Sequence, residues 1–241
     1  MTSVISLPPL ASPRITDAPE VEVVRAHRWL VVRFGEYHTT ASWAIVGGGL
    51  RRTLTVAWHQ VSEDELRPPV DACDLFRERL HDAGISDAVG LLTSRNLESY
   101  VDITRSYGDI EARCIATVGL GNALRAGDPP GPAGRIGKIG TINVFCRLSV
   151  SLSTEALLEA LALATEARAL AVREASIPST VSGEPASGTG TDCVVVAAPE
   201  HGAPARYAGK HTVLGHLIGT AVRDATTQGV ETWKRERGAS R

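Results

Sequence analysis

Ser187-Gly188-Thr189-Gly190-Thr191-Asp192 runs straight into Cys193-Val194-Val195-Val196-Ala197, and the chain is organised around this junction of polar loop and apolar strand. Gly188 and Gly190 permit positive φ and let the backbone come close to a bound group. Thr189, Thr191 and Asp192 place short, stiff hydrogen-bonding side chains at the mouth of the strand. A carboxylate just ahead of a buried strand needs a partner or a task. Ser, Gly, Thr and Asp are also ordinary turn formers, so the hexapeptide alone leaves turn and site both open.

Working outward, the irregular stretch Pro178 to Gly190 follows a helix predicted from Thr154 to about Ala175, with Ser153 as its N-cap. Leu158, Leu161, Thr165, Ala169 and Val172 share one face of it. Before that helix, Gly140-Thr141-Ile142-Asn143 opens a strand from Val144 to Val150, and Arg125 to Gly140 is too rich in Gly and Pro for regular structure. Beyond the strand, Gly209-Lys210-His211-Thr212 opens a last helix, about Thr212 to Arg235. There Leu214, Leu217, Ile218, Ala221, Val222 and Ala225 recur with the helical period. Gly215 and Gly219 offer close packing on that helix, compatible with a homodimer or with packing inside the chain.

Towards the N-terminus, strands crowd together: Val21 to Arg25, Trp29 to Phe34, Ala41 to Val46 and Thr53 to Val61. The last of these alternates with period two, as a half-buried strand does. A helix is predicted from Asp71 to Ala83, stopped by Gly84, then strands from Ala88 to Leu92 and from Ile110 to Val118. Residues 1–20 read as an extended arm and 21–241 as a single domain. Early strands with later, interspersed helices predict an α+β fold, a mixed or largely antiparallel sheet packed by about three helices.

A net charge of −2 over 241 residues, with 5% aromatics, gives no reason to expect nucleic acid or an anionic membrane as partner. Cys73, Cys114, Cys146 and Cys193 are widely spaced and suggest neither a metal site nor a disulfide framework. Pro8, Pro9 and Pro13 stand where a signal peptide would have an apolar run, and charges interrupt the most apolar helix. A cytoplasmic protein is therefore expected.

Polar clusters recur at strand ends: Gly119-Leu120-Gly121-Asn122 continuing to Asp128, Gly140 to Asn143, the opening hexapeptide, and Gly209 to Thr212. Asn122, Asp128, Thr141, Asn143, Gly188, Thr189, Gly190 and Thr191 make a largely neutral lining, suited to an uncharged, amide-rich ligand. Glu166 has apolar neighbours one turn away and is a candidate general base, although Glu159 and Arg173 nearby suit a solvated face equally well. His211, in a glycine-bounded turn before a helix, is the best-placed histidine for acid/base work. The Gly-Thr-Gly-Thr loop lacks the lysine of a phosphate-binding loop.

Read in order, Ala116 to Ala123, Arg125 to Asp128, Gly140 to Asn143, Thr165 to Arg168, Gly188 to Asp192 and Gly209 to Gly215 resemble the adenosylcobinamide amidohydrolase family of corrinoid salvage. Ser187 stands where that pattern has Thr, which keeps the hydroxyl. The resemblance implies hydrolysis of the amide joining aminopropanol to the corrin, giving adenosylcobyric acid. It implies no metal or cofactor held by the protein, since cobalt enters with the corrinoid substrate. For that reaction Glu166 or Asp192 would activate water and His211 would protonate the amine, with a threonine nucleophile as the main alternative. A non-catalytic corrinoid carrier or sensor would need the same neutral lining without the acid/base pair.

Overall fold

A computed structural model describes residues 21–130 and 140–239. The predicted arm, residues 1–20, and the centre of the Gly/Pro-rich stretch, residues 131–139, lie outside the described residues. The strands are β1 (Val21–Ala26), β2 (Trp29–Ser42), β3 (Gly49–Gln60), β4 (Val89–Thr93), β5 (Val101–Tyr107), β6 (Ile110–Val118), β7 (Ala123–Leu124), β8 (Ile142–Leu148), β9 (Gly188–Thr189) and β10 (Cys193–Pro199). The helices are α1 (Ala72–Asp82), α2 (Thr154–Glu174) and α3 (Val213–Ala239). Asp71 caps α1 by accepting from the N–H groups of Cys73 and Asp74, and Ser153 caps α2 by accepting from Ala156.

Eight strands form one mixed sheet in the order β4-β3-β2-β10-β8-β6-β5, with β1 added to the first half of β2. The β8–β10 and β3–β4 pairs are parallel and the others antiparallel. The fold is thus α+β, with a mixed sheet and three helices. β7 and β9 form a separate two-stranded ribbon beside the sheet.

The sheet doubles back on itself. β2 pairs with β1 through residues 21–34 and with β10 through His38 to Ser42, and its register with β3 shifts between Arg33 and His38. Such an irregularity bends a strand and sharpens its twist. Leu30, Val32, Val56, Trp58, Val89 and Leu91 therefore pack face to face on Ile115, Phe145, Val195 and Ala197 of the other half. On the far side of β6, β8 and β10, Ala116, Val144, Cys146, Val194 and Val196 meet α2 and α3. On the far side of β2 and β3, Trp29, Val31 and Ala57 meet Phe76 and Leu80 of α1. Helices, two sheet layers and a helix are stacked in sequence, each buried large side chain contributing roughly 1.5–3 kcal/mol.

This layering corrects several expectations. β3 is buried on both faces, not one: Val56 and Trp58 face the sandwich, and Ala57 and His59 lie under α1. The strand predicted over Ala41 to Val46 is the end of β2, which the chain leaves after Ser42. β5 is an additional strand at the edge; its alternation of Val101 and Ile103 with Asp102 and Thr104 was the available signal. On α2 the buried face is Ala156, Leu157, Ala160, Leu163, Ala164, Ala167 and Ala171, while Leu158 is half exposed.

Candidate functional site

The C-terminal end of β6 and the N-terminal ends of β8 and β10 meet at one edge of the sandwich, because β6 is antiparallel to β8 and β10 is parallel to it. Three of the four polar clusters converge there. Asp192 is the centre. Its Oδ1 accepts from the Ile142 N–H at 2.9 Å and from the Thr189 hydroxyl. Its Oδ2 accepts from the Thr189 N–H at 2.8 Å and from Arg168 Nη1 at 2.6 Å. Both side chains of the Arg168–Asp192 pair are buried, at 10% and 6% exposure, so little water screens them. Arg168 also donates to the Ser187 carbonyl at 2.8 Å, tying α2 to the loop.

Glycine is required at 188 for space. A Cβ there would stand 2.1 Å from both Arg168 Nη1 and Asp192 Oδ2. Gly188 and Gly190 are not among the glycines with positive φ, so backbone handedness is not what these positions supply. Gly140 is equally crowded: an added Cβ would meet Asn122 Oδ1 at 2.5 Å and the Gly121 N–H at 2.7 Å.

Around this core, Thr141 donates to the Thr191 carbonyl at 2.8 Å, and Thr191 donates to the Gly140 carbonyl at 3.2 Å. Asn143 is buried and donates to the Leu92 carbonyl at 2.7 Å, linking the two sheet layers. Asn122 Oδ1 and the hydroxyl of Thr117, which is paired with Asn143 across β6 and β8, are buried and without hydrogen-bond partners among the described residues. Asp128 closes a neighbouring turn: it accepts from the Arg125 N–H at 2.8 Å and from the Ser179 hydroxyl at 2.5 Å. The Ser179 hydrogen bond holds its carboxyl below the usual range. Cys193, next to Asp192, has its thiol pushed up to about 12 by burial and by the Asp192 charge, so it stays a neutral thiol at pH 7.

The structure does not bring Glu166 and His211 to Asp192. Glu166 lies two residues from Arg168, about 200° around α2, with 58% of its side chain exposed and an ion pair to Lys210 at 2.5 Å. His211 is exposed in the turn that precedes α3. That turn is held instead by Glu159, which accepts from the Ala208 N–H at 2.7 Å. Arg168, the partner of Asp192, ends the Thr165 to Arg168 stretch but was not singled out as a site residue, because a basic residue in a long helix is usually solvated. Trp43 was also missed; its Nε1–H donates to the Asp192 carbonyl at 2.6 Å.

A profile of the adenosylcobinamide amidohydrolase family matches residues 13–238. The chain belongs to this family. An uncharacterized protein of Methanocaldococcus jannaschii is 30% identical over 169 residues, which cover 62% of this chain and 66% of that relative. Two solved structures are matched at 10% identity and a TM-score of 0.42. One is a Pyrococcus horikoshii protein, matched over 84% of this chain and 77% of that one. The other is an L-aminopeptidase D-Ala-esterase/amidase of Ochrobactrum anthropi, matched over 88% and 82%. The Asp192 cluster joins a hydroxyl, a carboxylate and a guanidinium cation.

Proposed function

We propose that the chain hydrolyses adenosylcobinamide at the amide joining aminopropanol to a corrin side chain, releasing adenosylcobyric acid and aminopropanol. The observation that carries this reading is the Thr189–Asp192–Arg168 chain of contacts in a member of this family. A hydroxyl hydrogen-bonded to a carboxylate, which a third group orients, is the arrangement of an activated nucleophile. Thr189 Oγ1 attacks the amide carbonyl while Asp192 takes its proton. The C–N bond breaks, aminopropanol leaves with a proton, and water then hydrolyses the resulting ester. The backbone N–H at Gly190 is a natural donor to the oxyanion. A substrate rimmed with carboxamides suits the neutral polar groups of Asn122 and Thr191, with Thr141 and Asn143 buried behind them, and cobalt arrives as part of that substrate.

Thr189→Val tests this. It keeps the shape and removes the hydroxyl, and turnover of adenosylcobinamide, followed by mass, should fall roughly a thousandfold or more. Thr189→Ser should retain measurable turnover. Glu166→Ala and His211→Ala decide the route: both stay within a few-fold of wild type if Thr189 is the nucleophile. Both fall steeply if water is activated from the helix face. Tight binding of the corrinoid with no product in the wild type would favour the carrier reading.

A further inference from the structure

Three tryptophans are held in or against the core. Trp29 and Trp58 are buried, and Trp233 packs on the α3 side with Arg237 over its ring. Trp43 is different: 46% of it is exposed. Yet it is not loose. Its Nε1–H donates to the Asp192 carbonyl at 2.6 Å, and its backbone N–H reaches the Cys193 thiol. One anchor is Asp192 itself, and the other, Cys193, opens β10 directly after it. Ile45, also exposed at 41%, stands two residues further on, its carbonyl fixed by the Cys73 thiol at 3.4 Å. A large aromatic face fixed in orientation and left in water costs hydrophobic free energy that packing elsewhere would recover.

We infer that Trp43 is a substrate-contacting residue, a flat platform on which a conjugated face of the ligand lies while the scissile amide reaches Thr189. This rests on the adenosylcobinamide reading. Two conjugated surfaces of that substrate qualify, the corrin macrocycle and the adenine of its upper ligand. Both present a π-face to an indole, and a rigid ring costs little entropy to order.

The test separates contact from support of the loop. KM and kcat are measured for wild type, Trp43→Phe and Trp43→Ala. Binding of adenosylcobinamide and of cobinamide lacking the adenosyl group is measured by dialysis. Trp43→Ala should raise KM about tenfold with kcat changed far less, and Trp43→Phe, which keeps a flat face but no N–H, should recover most of the loss. Equal loss of binding for both ligands assigns the macrocycle; loss confined to the adenosyl form assigns the adenine. Active Trp43→Ala with unchanged KM overturns the platform and leaves the reaction standing. Trp43→Phe as impaired as Trp43→Ala, in kcat above all, overturns it in favour of a loop-holding indole. A wild type that neither binds nor cleaves adenosylcobinamide overturns the reaction itself, and the platform with it.

Discussion

At Gly188 the missing Cβ leaves the space that the Arg168–Asp192 pair fills. Gly188→Ala should displace one member of a buried ion pair and leave the other uncompensated, a loss of roughly 3–5 kcal/mol. Among the described residues Gly190→Ala meets only Leu124 Cδ1, at 3.3 Å, and should be tolerated. Denaturant midpoints for the two variants check the contrast. The pair itself is measured by a double-mutant cycle: Arg168→Ala and Asp192→Ala should each destabilise by several kcal/mol, and the double variant by clearly less than their sum. The opening hexapeptide is legible as a polar junction because its residues are neighbours in sequence, and Asp192 and Thr189 are hydrogen-bonded to each other within it. Arg168 stood in the Thr165 to Arg168 stretch, but its pairing with Asp192 was illegible because that partner is 24 residues away. Glu166, two residues before it, has the more suggestive apolar neighbours but points the other way.

Among the elements, α3 carries glycines with opposite meanings. At Gly229 an added Cβ would lie 2.4 Å from Val118 Cγ2, so the helix lies close on β6. Gly229→Ala should cost roughly 1–3 kcal/mol by overpacking despite its better helix propensity. Gly219 meets nothing within 4 Å, and Gly219→Ala should stabilise by about 0.5–1 kcal/mol. Thermal melting of the two variants decides. Of the two glycines singled out from sequence on this helix, Gly215 is the packed one, against the Gly209 carbonyl, and Gly219 is open. Helix extents and caps were legible because period and capping chemistry are local. The long strand β2 was not, since one of the two partners of its second half, residues 195–199, lies more than 150 positions away.

For the whole molecule, the layered core buries two neutral imidazoles, one of them under α1. His38 accepts from Arg147 Nε at 3.1 Å, and His59 sits against the ring of Trp29. Burial holds both at about 4, against 6.5 for an ordinary histidine. As pH falls through 6.5 the unfolded chain takes up protons first. Stability is therefore full above about 6.5 and is lost progressively down to about 4, by up to about 3 kcal/mol for each residue. Urea titrations between pH 4 and 7.5 should show this slope, and His59→Phe should flatten it. The α+β class with three helices was legible in sequence because composition and element order set it. The folding of one sheet into two layers was not, because a bend in β2 leaves no periodic trace.

The central place of β2 also has a meaning in time. Residues 38–42 wait for a partner, residues 195–199, that is made more than 150 positions later. During synthesis that edge of β2 stays open until residues 195–199 have left the ribosome, a vulnerable interval for a strand edge. The segment that closes it begins at the residue after Asp192. A nascent chain cannot complete its central sheet without delivering its carboxylate cluster, so a finished fold comes with an assembled site.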